Sequence, residues 1–213
     1  MKKSFTIFFF ATIFYLTLLV SCNKDDCGPF PNRFKVTNIE LYNQKLKDPT
    51  ITPTDYTFES FSPQDVLDEK EYYIEINLIK ETYYAFKKTS KFFLQTNAYA
   101  CSPVDPHSDE TIFSLSVKAN KDFDSQHPKD ADLTDLFDVV IVDYYRNIIY
   151  NRMSLTDFIA SKPTSKDKLF LVLNTPPANQ DAFIFTVTYQ TTLGGKENTF
   201  IKETQEVIIQ PSL

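Results

Sequence analysis

The chain has 213 residues, 22 Lys and Arg against 28 Asp and Glu, a formal net charge of −6, and 15% aromatic residues. An acidic chain is repelled by phosphate backbones, which argues against a nucleic-acid partner. Three glycines are too few for a phosphate-cradling loop or a low-complexity protein.

The first element is MKKSFTIFFFATIFYLTLLVSC. Lys2 and Lys3 form a basic start, residues 4–20 carry no charge, and small Ser21 precedes Cys22. This is the pattern of a secretion signal, which stands outside the fold. Seventeen uncharged residues are short of the roughly 20 that a membrane-spanning helix needs. Leu19-Val20-Ser21-Cys22 resembles the lipobox of bacterial lipoproteins. The resemblance implies cleavage before Cys22, a diacylglycerol on its thiol, and a further palmitate-type acyl chain on the new N-terminus. Several chains hold where one binds reversibly, because each buried methylene contributes about 0.8 kcal/mol. Residues 1–21 are then the signal peptide, and 22–32 an acidic tether ending in Gly28-Pro29-Phe30-Pro31. Lys24, Asp25 and Asp26 are similar to the surface-export signal of Bacteroidota lipoproteins; the alternative is a merely solvated tether. The expected location is the bacterial outer membrane, lipid-anchored and facing the cell exterior. Without residues 1–21 the net charge is −8.

With Cys22 lipidated, Cys27 and Cys101 remain as a pair in an oxidising compartment. A disulfide between them would close a loop of 73 residues and contribute about 4 kcal/mol. Free thiols or a thiol site are the alternatives.

Residues 33–213 read as a single β domain. Arg33–Tyr42 places Phe34 and Val36 on one phase and Ile39 and Leu41 on the other, which predicts a bulge at Thr37-Asn38. The proline-rich stretch 43–70 reads as a loop with a short helix at Pro63–Leu67. Glu71–Ile79 alternates as a half-buried strand, with Tyr73, Glu75 and Asn77 outward. Lys91–Ala100 is a further strand, with Lys87, Lys88 and Lys91 protecting an edge. Thr111–Asn120 alternates again. Asp132 would cap a helical turn up to Phe137, and Ser154 another that Pro163 stops. Val139–Val142 and Leu169–Leu173 have the continuous apolar character of central strands. Ala182–Thr192, Gly194-Gly195 and Thr199–Ile209 predict a β-hairpin. The fold class that follows is mainly β: an antiparallel β-sandwich, immunoglobulin-like or related, with one or two short helical turns.

Cys27-Gly-Pro, Tyr99-Ala-Cys101-Ser-Pro103, Ser154-Leu-Thr-Asp-Phe158, Leu173-Asn-Thr-Pro-Pro177 and the closing hairpin resemble an uncharacterised family of Bacteroidota surface lipoproteins. The resemblance implies lipidation and a β-sandwich, and carries no catalytic residue with it.

No nucleophile elbow, zinc-protease helix, Walker loop or dinucleotide fingerprint is present. His107 and His127 each adjoin a proline and are expected on exposed loops. Asp122, Asp124, Asp130 and Asp132 are hard oxygen ligands suited to Ca²⁺. However, an EF-hand template begun at Asp122 meets His127 where glycine is needed and Leu133 where a glutamate closes the loop. Both mismatches favour Asx-turns and a helix cap as the use of these aspartates, with no metal expected. The doublets Tyr72-Tyr73, Tyr83-Tyr84 and Tyr144-Tyr145 offer outward rings for a glycan, without any tryptophan. The expectation is a non-enzymatic envelope lipoprotein without cofactor. It is anchored to the membrane through its lipid and binds an unknown protein or glycan partner. The alternatives are a carbohydrate-binding module of a glycan-utilisation system and a calcium-dependent adhesion-type domain.

Overall fold

The computed structural model describes residues 32–47, 57–84, 105–143, 148–166 and 168–211. Internal packing divides the chain into two units. Phe34–Glu81 with His107–Leu213 is the larger and contains the elements below apart from Arg33 of the first strand and Thr82 and Tyr83 of the fourth. The other is Met1–Arg33 with Thr82–Pro106, of which only 32–33, 82–84 and 105–106 are described. The expected strand Lys91–Ala100 and the three edge lysines lie outside the described residues.

Thirteen strands are described: β1 (Arg33–Leu46), β2 (Phe58–Glu59), β3 (Val66–Asp68), β4 (Tyr72–Tyr83), β5 (His107–Ser108), β6 (Thr111–Ala119), β7 (Phe137–Asp143), β8 (Ile148–Ser154), β9 (Lys168–Leu173), β10 (Asp181–Phe183), β11 (Phe185–Leu193), β12 (Lys196–Glu203) and β13 (Val207–Gln210). The large sheet runs β2-β1-β4-β9-β7-β8, with β5 added beside β1. Two three-stranded sheets, β10-β13-β3 and β12-β11-β6, complete the set. The pairs β1–β2, β4–β9, β7–β9, β7–β8, β10–β13, β11–β12 and β6–β11 are antiparallel, and β13 with β3 is parallel. Side chains from all three sheets share one core, which makes the arrangement sandwich-like. Among the described residues no helix is long and apolar enough to cross a membrane.

Period-2 patterning builds the inner faces. Tyr72, Ile74, Ile76 and Leu78 of β4 and Leu169, Leu171 and Leu173 of β9 are buried in the common core. Phe185, Val187 and Tyr189 of β11 meet them with Leu115 and Val117 of β6. On β1 burial passes from Phe34 and Val36 to Ile39 across Thr37-Asn38, the predicted change of phase.

The structure departs from the sequence reading in four places. The outward residues Tyr73 and Glu75 of β4 are buried, not half-exposed. Tyr73 joins Leu46, Val140, Phe170 and Val172 in a second cluster on the other face, where Phe58 stacks on Phe170 at 4.8 Å. Pro63–Leu67 is not a helix: Ser62 and Asp65 close a turn and β3 follows. The turn at Thr134–Leu136 is a single 3₁₀ turn whose N-cap position is Leu133, without a side-chain bond; Asp132, one residue earlier, accepts from the Thr134 N–H through its carboxylate while its backbone forms a β-bridge with Lys118. The two long C-terminal strands are each broken. Ile184 separates β10 from β11, and 204–206 separate β12 from β13, so each half enters a different sheet. At that break the Phe185 N–H donates to Thr204 Oγ1 at 3.0 Å and the Thr204 N–H to the Phe185 carbonyl at 2.9 Å.

The second helical turn fits its prediction. Ser154 Oγ accepts from the Asp157 N–H at 3.0 Å, and the helix Leu155–Ala160 buries Leu155 and Phe158. The hairpin turns through Gly194 (φ +59°) and Gly195 (φ +83°), a left-handed pair that L side chains resist. Replacing either glycine by valine should therefore destabilise by about 1–2 kcal/mol, although a new Cβ meets nothing within 4 Å. Gly194→Asn should cost less than Gly194→Val, and urea unfolding of the three variants measures the order. Leu171→Ala, in a central strand and fully buried, should cost about 2–5 kcal/mol in the same assay.

Candidate functional site

Cys22, Lys24, Asp25, Asp26, Cys27 and Cys101 lie outside the described residues. The aspartate-rich loop is described. Asp122 Oδ1 accepts from the Lys129 N–H at 2.7 Å, and Asp132 Oδ1 from the Thr134 N–H at 2.9 Å. Asp124 accepts from the N–H groups of Gln126 (2.7 Å) and His127 (2.8 Å) and from His127 Nδ1 at 2.9 Å. Burial opposes ionisation of Asp124, but these hydrogen bonds outweigh it and hold the carboxyl below its ordinary range. Asp130 takes a left-handed φ of +65°. Among the described residues no group of three or more His, Cys, Asp or Glu side chains is placed to hold a metal ion. His127 is not the exposed loop residue expected; its side chain is 15% exposed and fixed by Asp124. His107 lies exposed in β5.

The tyrosine doublets divide differently from the expectation. Tyr72 and Tyr73 are both buried, and Tyr72 donates to Asn43 Oδ1 at 2.8 Å. Burial drives the Tyr72 hydroxyl pKa far upward, so it remains a neutral donor. Tyr84 is exposed, and Tyr144-Tyr145 lie outside the described residues. A different ring faces solvent beside polar groups. Tyr42 of β1 is 45% exposed and donates to Glu40 Oε2 at 2.5 Å. Near it Gln44 Nε2 donates to Glu75 Oε2 at 2.7 Å, and Lys168 Nζ to Glu75 Oε1 at 2.5 Å. Neighbouring strands β1, β4 and β9 supply this strip in order.

Among the described residues the most deeply buried carboxylate is Glu110, 1% exposed, between β5 and β6. Its Oε2 accepts from the Val36 N–H at 2.8 Å and its Oε1 from Asn198 Nδ2 at 3.5 Å. Its own N–H donates to Ser108 Oγ at 3.0 Å, and its carbonyl accepts from the Ser165 N–H at 2.9 Å. Burial raises the carboxyl pKa; the bonds from Val36 and Asn198 and the charge of Lys35 recover only part of that rise. Glu110 therefore joins β1, β6 and β12. It precedes the alternating run of β6, and no periodic signal marks it.

The sheet β12-β11-β6 has two unlike edges. Along β6 the chain closes its own edge. Ile112 donates to the Pro163 carbonyl at 2.8 Å, Leu133 to that of Val117 at 2.8 Å and Asp130 to that of Ala119 at 2.9 Å. Bridges Thr111–Thr164 and Lys118–Asp132 flank these bonds. Along β12, β11 is the only pairing strand among the described residues. Ile201, Lys202 and Glu203 are exposed, Ile201 at 61%.

Register fixes which backbone groups β12 offers. Leu193 and Lys196 flank a two-residue turn, so they form a hydrogen-bonded pair. The pairing continues without a shift through Thr191–Asn198, Tyr189–Phe200 and Val187–Lys202. Even-numbered residues of β12 thus bond to β11. The N–H and C=O groups of Glu197, Thr199, Ile201 and Glu203 point away from the sheet. This edge is the candidate interaction surface. The stretch KENTFIKE carries it, but reading the return strand as Thr199–Ile209 hid it by merging β12 with β13.

Comparison with protein-family models, curated proteins and solved structures returned no match.

Two predictions follow the geometry. Because the folded pKa of Glu110 is raised, its contribution to stability is complete below the unfolded value and is lost as pH rises through the folded value. Glu110→Gln keeps an acceptor for Val36 and cannot ionise. Its Tm should exceed wild type at pH 7, and the difference should vanish near pH 4; parallel Tm curves would refute this. Glu110→Ala, which leaves the Val36 N–H unpaired, should cost about 1–3 kcal/mol. Proline tests the register of β12. Thr199→Pro removes an outward N–H and should leave Tm nearly unchanged. Lys202→Pro removes a bond to β11 and should lower Tm by several degrees, at about 2–4 °C per kcal/mol.

Proposed function

We propose that the protein is a non-enzymatic lipoprotein of the bacterial outer membrane, displayed on the surface, whose β-sandwich-like domain binds a protein partner by strand addition at β12. The observation that carries the reading is the contrast of edges among the described residues: loops of the chain cover β6, whereas β12 pairs with β11 alone and most of its residues are exposed. An extended segment added there gains main-chain hydrogen bonds without rearrangement of the sheet. The lipobox at Leu19–Cys22 and the acidic stretch at Lys24–Asp26 support the anchor and its outward placement. The resemblance to Bacteroidota surface lipoproteins supports both. A Cys27–Cys101 disulfide is the fitting use of the remaining thiols in that compartment.

A second reading rests on Tyr42. Its exposed ring lies beside Glu40, with Gln44 and Glu75 near, and offers the apolar face and polar fringe that a sugar takes. One ring makes a smaller platform than the eight-residue edge makes for a strand.

Labelled palmitate should enter the wild-type protein, and Cys22→Ala should abolish the label. Protease treatment of intact cells should cleave the wild type and spare a variant with alanine at Lys24, Asp25 and Asp26. In pull-downs from intact cells, Thr199→Pro should lose a partner that wild type retains. Retention by Thr199→Pro together with loss by Tyr42→Ala on a glycan array would transfer the function to the second reading.

A further inference from the structure

The β12 edge reads KENTFIKE, and its charges form two adjacent pairs six residues apart: Lys196-Glu197 and Lys202-Glu203. Pleating sends Lys196 and Lys202 to one face and Glu197 and Glu203 to the other. We propose that β12 selects an extended strand of another protein in which a basic residue followed by an acidic one recurs six positions later. This rests on the strand-addition reading and adds the chemistry of the partner.

The argument is one of parity. In an antiparallel pair, directly opposite residues both point their hydrogen-bonding groups at the partner or both point them away. In a second folded copy the outward groups again belong to the odd-numbered residues, so odd must face odd. Two registers give the longest overlap. One sets Glu197 against Glu203, and the other sets Lys196 against Lys202. Like charges directly opposite are destabilising, and the lysine register places them in the closer, non-hydrogen-bonded pair. The edge therefore resists another copy of itself.

A foreign strand escapes that constraint because its parity is free. Running antiparallel, it can set a basic residue against Glu203 and an acidic one against Lys202. Six positions later it repeats the pair against Glu197 and Lys196. All four contacts are then of opposite sign. The third position lies opposite Ile201, the most exposed of the large apolar side chains described, where a β-branched residue covers it. Charges of both signs thus reject self-pairing and admit a complementary strand. A lysine-only edge, by contrast, repels most strands alike.

The test uses the whole lipidated protein in detergent and a fluorescent octapeptide, Lys-Glu-Val-Thr-Val-Thr-Lys-Glu. Its control exchanges every lysine and glutamate. The first peptide should bind at least about tenfold more tightly than the control at low salt, with the ratio shrinking as salt rises. Thr199→Pro should abolish binding while retaining the wild-type circular dichroism spectrum. The fourfold variant Lys196→Glu, Glu197→Lys, Lys202→Glu, Glu203→Lys should invert the preference. Equal binding of both peptides, lost in Thr199→Pro, would overturn the charge code and leave strand addition standing. No binding of either peptide, with a cellular partner kept by Thr199→Pro, would overturn both. A wild-type dimer in sedimentation that Thr199→Pro dissolves would assign the edge to a second copy and overturn the proposal.

Discussion

One aromatic side chain ties the three sheets together. The Phe185 ring lies 5.7 Å from Tyr72 and 5.8 Å from Phe137, both in the large sheet, and 5.9 Å from Phe183 in β10. Phe185 itself opens β11. Its backbone is held at the same point by Thr204, where β12 gives way to β13. The chain thus changes sheets at both of its C-terminal breaks beside a single buried ring. Aromatic contacts of this kind add about 0.5–1.5 kcal/mol each beyond area burial. The placement of β11, and through it β12, depends on this contact.

Polar groups finish what the apolar faces begin. Buried backbone at a sheet change needs partners, and Thr204 supplies them. Glu110 does the same where β1 begins, accepting from the Val36 N–H. A carboxylate is a costly choice there, since burial disfavours its charge. The gain is reach: one side chain bonds β1 and β12 at once, while its main chain bonds the loop before β9.

What the sequence made legible follows the physics of each signal. Alternation marked β4, β6 and β11 because one face of each enters a core. The positive-φ glycines marked the hairpin, and Ser154 marked its helix. Tyr73 and Glu75 were misjudged because alternation reports a change of face, not whether the second face is covered. That burial depends on residues as distant in sequence as Leu46, Phe58, Phe170 and Lys168. The breaks at Ile184 and Thr204 were invisible for a similar reason. At Ile184 aromatic and β-branched residues continue through the break, and the polar run Thr204-Gln205-Glu206 reads equally as a solvent-facing piece of one strand, so nothing local tells the strand to leave one sheet for another. Glu110 falls outside any period, so only its long-range partners distinguish it.

The unlike edges of the small sheet are the point at which fold turns toward function. Both β6 and β12 present unpaired ladder groups once β11 is satisfied between them. At β6 the chain supplies Asp130, Leu133 and Pro163 and closes the edge with its own backbone. The aspartates of those loops are occupied with turns and with His127. At β12, among the described residues, the same need falls to charge, with Lys196 and Lys202 on one face of the strand and Glu197 and Glu203 on the other. Charge of both signs is a selective barrier: it opposes a copy of the same edge and favours a strand with opposite charges at the facing positions. For a protein anchored to a membrane, as proposed above, self-pairing is the first hazard, and this pattern opposes it without closing the edge to others.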